Sequence, residues 1–153
     1  MFKKFPRLLV WAALAAPAFL LLAAGDLALR SRCALDEARR QESWRDAPAL
    51  KARYFEALCR KRLEALAADA AAGKISKESA ARAASLLAAE RDFRVSESSA
   101  KMAYVWYKTA AGEFSSPLNP WAGQARAKLP AAQAAWRAEL DAQGIKAEPW
   151  MTE

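Results

Sequence analysis

Two cysteines, Cys33 and Cys59, are the side chains of this sequence best placed to form a covalent link. Cys33 lies fourteen residues before Ala47 and Cys59 lies twelve residues after it. In an antiparallel helical hairpin with its turn at residues 46–48, the two cysteines would lie at nearly the same height along the paired helices. A disulfide there would close a loop of about 26 residues and add about 3–4 kcal/mol of stability in the chain-entropy model. It would need an oxidising compartment. The alternative is that both are small core residues, and the spacing leaves both interpretations open.

Other side chains offer little chemistry. The chain has no histidine, so it has no imidazole for general base catalysis, haem ligation or a zinc site. Two cysteines are too few for a structural zinc site or an iron–sulfur cluster, and the isolated glycines form no phosphate-binding loop. We therefore predict a non-enzymatic protein with no catalytic residues, no cofactor and no metal site.

The positive charge is spread in a way that does not favour nucleic acid as a partner. The net charge is +7, and Lys3, Lys4 and Arg7 supply part of it before the first apolar run. Further along, basic and acidic residues alternate, which is typical of solvated helix faces. A nucleic-acid interpretation would rest mainly on the basic run at 60–62 (Arg-Lys-Arg). We do not expect nucleic-acid binding.

The N-terminal segment is predicted to enter a membrane. Residues 1–7 form a basic leader, and residues 8–29 are apolar except for Asp26. About 20 such residues in a helix span a bilayer core. The basic leader places the N-terminus in the cytoplasm and the body in the periplasm, on the outer side of a bacterial-type inner membrane. The alternative is a signal peptide cleaved near Gly25, which would release a secreted or periplasmic protein.

Composition predicts an all-α body. Alanine dominates and the other common residues are strong helix formers, while β-branched runs are absent. Residues 30–72 are predicted to form one helical hairpin, with its turn at 46–48 and its end at Gly73. Residues 73–144 are predicted to form a hairpin stack, and residues 145–153 a C-terminal tail.

Capping residues divide the second part of the body. Ser76 and Ser96 are predicted to cap the helices that follow them. Asn119 before Pro120 is a strong start signal, because proline is favoured at the first helical position. Gly144 is predicted to end the last helix, and Pro130 to kink it.

Residues 103–130 resemble a tetratricopeptide-type repeat. The likeness rests on Ala103, Tyr107 and Ala110, on a proline-containing turn after Phe114, and on two alanines, Ala122 and Ala125, in the next helix. The turn carries extra residues and the chain has no second good copy, whereas solenoids need about three. The resemblance implies a short stack of helical hairpins that binds a protein segment.

Four residues are the predicted partner contacts: Trp106, Trp121, Trp150 and Met151. Trp106 lies beside the apolar stripe of its helix, Trp121 at a helix start, and the last two in the tail. We predict a membrane-anchored adaptor or scaffold that binds a protein partner. The alternative is a structural accessory subunit of a multi-subunit membrane complex. Its transmembrane helix would then pack through small residues, which are Ala12, Ala15, Ala16 and Ala23.

Overall fold

The computed structural model describes residues 5–114 and 119–146, and within its first helix the side chains of residues 5–10, 12 and 14 lie outside that description. The described residues form helices and short turns without any strand, which confirms the all-α prediction. The helices are α1 (Phe5–Asp46), α2 (Pro48–Ala71), α3 (Lys77–Ser96), α4 (Ser99–Gly112) and α5 (Pro120–Ala142).

Helix α1 is continuous over 42 residues and carries Pro17 within it. The described side chains of its first half are largely exposed: 70% of the Phe19 surface and 75% of the Leu22 surface are accessible. Its second half is buried on one side, where Ser31 and Leu35 are both fully covered. In the part of the chain whose residues are described, no helix is long and apolar enough to cross a membrane. Part of the predicted span, residues 8–10, 12 and 14, lies outside the described side chains.

The chain divides into two compact units. Unit 1 comprises Met1–Arg40 and Ala100–Glu153, and unit 2 comprises Gln41–Ser99. This division differs from the predicted boundaries at 72 and 144. The residues before and after unit 2 belong to one core, a long-range pairing that local sequence patterns do not encode.

The core of unit 1 forms where α1, α4 and α5 meet. Tyr107 and Leu35 are its largest fully buried apolar side chains. The rings of Tyr104 and Trp136 stack at 5.3 Å between centroids and so join α4 to α5. Small residues let the helices approach closely, and the fully buried ones are Ala38, Ala103, Ala110 and Ala125.

Unit 2 is a hairpin of α2 and α3 with the end of α1. Cys59 is buried in α2, and its thiol donates a hydrogen bond to the carbonyl oxygen of Leu87 in α3 at 3.7 Å. Lys51 is buried as well, and its ammonium group donates to the carbonyl oxygen of Glu97. Near the start of α2, Trp44 packs against Tyr54 and Phe55, with ring centroids 5.2 and 5.5 Å away. Helix α2 therefore packs against α3 as well as against the end of α1, and only the pairing with residues 30–45 had been predicted from the sequence.

Two glycines end helices as predicted. Gly73 and Gly144 both have a φ of 71°, the left-handed conformation that glycine adopts without steric cost. The amide of Gly144 donates to the carbonyl oxygen of Asp141, and that of Ile145 to Leu140. This pair of bonds is a Schellman motif, which satisfies carbonyls that the helix end would otherwise leave open.

Two predicted helix starts are confirmed and one is not. The hydroxyl of Ser76 accepts from the amide of Ser79 at 3.1 Å, and the Asn119 side chain accepts from the amide of Trp121 at 3.1 Å. Ser96 is instead the last residue of α3, and its hydroxyl donates back to the carbonyl oxygen of Phe93. A serine hydroxyl can accept from a following amide or donate to a preceding carbonyl oxygen. Serine therefore indicates a helix boundary but not whether the helix begins or ends there. Pro130 lies on the exposed side of α5, which continues through it.

Candidate partner-binding groove

A groove of about 360 Å³ opens on the surface of unit 1 between α1 and α4. Its walls come from one face of α1 and from the edge and end of α4. The lining residues are Arg30, Cys33, Ala34, Glu37, Trp106 and Phe114.

Helical periodicity explains why these side chains line a groove. In α4 the positions three and four apart, Ala103, Tyr107 and Ala110, are fully buried in the core. Trp106 lies one position off this stripe, so its ring is only half-buried and forms the edge of the core. Helix α1 has the same arrangement: Leu35 is buried, and Cys33 lies beside the buried face and stays exposed.

The charges of the groove are largely neutralised within α1. The Arg30 guanidinium donates from Nε to Asp26 Oδ2 at 2.8 Å, one helical turn earlier. Arg40 donates to the carboxylate of Glu37. The rest of the groove lining is uncharged and consists of Cys33, Ala34, Trp106 and Phe114.

Trp121 lies at the start of α5, where it is half-buried against the core of unit 1. The guanidinium carbon of Arg32 lies 5.5 Å from the centre of its ring, a cation–π contact. The Asn119 side chain makes two hydrogen bonds at the start of α5. Its amide oxygen accepts from the amide of Trp121, and its amide nitrogen donates to the carbonyl oxygen of Phe114 at 2.9 Å. The Arg32 contact was not predicted, because it joins residues far apart in sequence.

Both cysteines are free thiols in the structure, and the bridge between them, one of the two interpretations that the spacing left open, stays a prediction. Cys33 is exposed on unit 1, so it is not a core residue. Cys59 is buried in unit 2, as the alternative interpretation expected for it. The prediction of a bridge assumed a hairpin of α1 and α2, but Cys59 faces α3 and its thiol is directed to Leu87.

The remaining predicted contacts, Trp150 and Met151, lie outside the described residues. Across residues 5–114 and 119–146, no cluster of three or more histidine, cysteine or carboxylate side chains could hold a metal ion.

Among the described residues, three charged groups have shifted pKa values, and all three belong to unit 2 and lie outside the groove. The side-chain hydrogen bond from Arg45 lowers the pKa of Asp46. At the start of α3, the pKa of Glu78 is lowered, chiefly by a hydrogen bond from its own backbone amide and then by Ser76. The side-chain hydrogen bond to Asp92 raises the pKa of Arg91. Each of these shifts comes chiefly from hydrogen bonds made with groups no more than two residues away, on exposed side chains.

Comparison of the chain with protein-family models, with curated proteins and with solved structures gives no match.

Proposed function

We propose that this chain is a membrane-anchored, non-enzymatic helical adaptor that holds a protein partner in the groove beside Trp106. The observation that carries the proposal is the two-part character of α1. One uninterrupted helix has an apolar first half whose described side chains are largely exposed, and its residues from Ser31 to Ala38 contribute to the core of unit 1.

The exposed half of α1 supports membrane insertion. Its described large apolar side chains are each 66–75% accessible, and they are Trp11, Phe19, Leu20, Leu21 and Leu22. Contiguous apolar surface of this kind marks an interaction site or a membrane-facing segment. Residues 8–29 would extend about 33 Å as a helix, against a hydrocarbon core of about 30 Å. The leader at 1–7 favours an inner membrane with the N-terminus in the cytoplasm and the body in the periplasm.

The shape and chemistry of the groove support a protein segment as its occupant. Aromatic side chains such as Trp106 supply large contact areas at interfaces. The ion pairs of Arg30 with Asp26 and of Glu37 with Arg40 reduce the cost of covering those charges. The anchor would add a high local concentration of membrane-bound partners. The burial of Ala103, Tyr107 and Ala125 also supports a tetratricopeptide-like pairing of α4 and α5.

Site-specific photocrosslinking in the membranes of cells that make the protein tests this function. A photoreactive benzoylphenylalanine replaces Trp106, and a matched variant carries it in place of Lys128, an exposed position of α5. The proposal predicts discrete protein adducts at 106 and none at 128. The absence of adducts at 106, or the same adducts at both positions, would remove the groove as a partner site.

A structural accessory subunit is the second candidate, favoured by the small exposed side chains Ala15 and Ala16 on α1. Small residues let transmembrane helices approach closely. The stability of the chain when it is made alone separates the two functions. An adaptor accumulates as a folded protein without its partner, whereas a subunit that depends on its complex is degraded or aggregates.

A further inference from the structure

We infer that the end of unit 1 around Trp121 and Arg32 docks onto the phospholipid headgroup layer of the membrane that α1 enters. The inference rests on the proposed insertion of α1. It adds a second membrane contact, made by the folded body and not by the anchor.

The position of Arg32 along α1 places it close to the edge of the hydrocarbon core. Because α1 has no break between its apolar half and its buried half, distances along it follow from a rise of about 1.5 Å per residue. The hydrocarbon boundary falls between Asp26 and Leu29, where the apolar run meets its first ion pair. Arg32 then lies about 5–9 Å beyond that boundary. The polar layer on each side of a bilayer is about 5–8 Å thick.

The second step is that Trp121 shares the level of Arg32. The ring centre of Trp121 lies 5.5 Å from the Arg32 guanidinium carbon. It therefore lies in the headgroup layer too. Tryptophan is enriched there in membrane proteins, because its ring is apolar while its indole N–H can stay hydrated. Trp121 is partly buried against the core, and the part of its surface that stays exposed can meet lipid.

The third step concerns the directions of the helices in unit 1. The hydroxyl of Ser31 contacts the carbonyl oxygen of Ala110, near the end of α4. The start of α5 contacts Arg32 through Trp121, and Gln124 contacts Arg39 further along α1. The end of α4 and the start of α5 thus both lie beside the part of α1 nearest the apolar half. Helix α5 then leads away from the boundary, so later residues of α5 are carried out of the lipid layer.

The chemistry of this surface fits phospholipid better than bulk water. The guanidinium of Arg32 can donate to a lipid phosphate while its other face rests on the Trp121 ring. The side chain of Arg32 is 58% exposed, and its nearest carboxylate oxygen, on Asp36, is 3.8 Å away, which is a loose ion pair. A lipid phosphate can therefore compete for it.

Photocrosslinking to lipid in purified vesicles tests this inference on the full chain. Benzoylphenylalanine replaces Trp11 in the apolar half of α1, Trp121 at the docking surface, or Arg137 further along α5. Each variant is inserted into vesicles of phosphatidylcholine and phosphatidylglycerol and irradiated. Intact-mass spectrometry of the protein then shows whether a covalent lipid adduct has formed. If the change at Trp121 disturbs folding, as judged by circular dichroism, the exposed neighbour Pro120 carries the probe instead.

Each outcome separates the docking from the insertion. Lipid adducts at 11 and 121 but not at 137 support docking. Adducts at 11 alone would leave the insertion in place and overturn the docking. Adducts at none of the positions would overturn both the insertion and the docking. Adducts at 137 equal to those at 121 would overturn the docking as a defined surface, because the whole body would then lie on lipid.

Discussion

The hydroxyl of Ser31 donates a hydrogen bond of 3.1 Å to the carbonyl oxygen of Ala110, across 79 positions of sequence. Ser31 is fully buried, so this bond is made away from water. It joins the second half of α1 to α4 at the point where α1 stops being exposed. A polar contact of this kind fixes which residues of the two helices face each other, since any slip would leave a buried hydroxyl unpaired.

The two halves of α1 are expected to respond differently to the same substitution. Leu35→Ala removes a fully buried side chain and should lower the free energy of unfolding by about 2–5 kcal/mol. Leu22→Ala, at a position that is 75% exposed, should change it by less than about 0.5 kcal/mol. Urea unfolding in mild detergent, followed by circular dichroism, measures both. Equal losses for the two variants would place Leu22 in a core and contradict the description of α1.

Two glycines of the α5 region are expected to respond to alanine with opposite signs. Gly144 has a φ of 71°, where a Cβ costs about 1–2 kcal/mol, so Gly144→Ala should destabilise unit 1. Gly123 lies within α5, and a Cβ there meets nothing within 4 Å. Gly123→Ala should therefore stabilise it by about 0.5–1 kcal/mol. Thermal unfolding of the two variants side by side measures the difference, and shifts of the same sign would rule out this account of the helix end.

Ser76 both caps the start of α3 and lowers the pKa of Glu78. Ser76→Ala removes the side-chain acceptor for the Ser79 amide and should cost about 1 kcal/mol. It should also raise the pKa of Glu78 part of the way to its ordinary value, because the larger cause of the lowered pKa is the backbone amide of Glu78 itself. An NMR titration of the Glu78 carboxyl in both proteins measures this. An unchanged pKa in the variant would show that Ser76 does not contact the carboxylate.

The lowered pKa of Glu78 also predicts how the free energy of unfolding changes with pH. A carboxyl with a lower pKa in the folded state stabilises the fold above its unfolded pKa, and this contribution is lost as pH falls through the folded value. Glu78→Gln should therefore make the stability of α3 less sensitive to acid. Repeating the unfolding measurement at neutral and acid pH tests this, and the variant should match the wild type most closely at the acid end.

The free cysteines predict a stepwise pattern of alkylation. Cys33 is exposed and Cys59 is buried, so the folded, unreduced protein should take up one alkyl group quickly and the second only after denaturation. Intact mass after each step measures this, with Cys33→Ser as the control that removes the fast step. A protein that takes up no alkyl group even when denatured without reductant would carry the disulfide that this structure lacks.

Local signals in the sequence were sufficient to place most helix ends. Gly73, Ser76, Asn119 and Gly144 each act through bonds to residues no more than a turn away, so short patterns predict them. The apolar stripes of α4 and α5 were also predicted, because Tyr107 and Trp136 recur at helical spacing with their neighbours.

The pairing of the helices could not be derived in the same way. One of the two interpretations left open for Cys59 placed it opposite Cys33 of α1, whereas its thiol contacts Leu87 of α3, and nothing near Cys59 in sequence distinguishes these partners. The same holds for Arg32 and Trp121, which are brought together only by the long-range pairing of α1 with α5. Ser96 was misplaced for a different reason, since its hydroxyl bonds backward to Phe93 and not forward.

Flotation of the full chain with phospholipid vesicles after an alkaline wash tests the central claim most directly. The matched variants are Leu20→Arg with Leu22→Arg in the exposed apolar half of α1, and Ala81→Arg with Ser85→Arg on exposed positions of α3. A charged side chain in a bilayer core costs several kcal/mol, so the first pair should abolish flotation while the second pair floats like the wild type. A wild-type chain that stays folded in the soluble fraction, or a first pair that still floats, would contradict membrane insertion through α1.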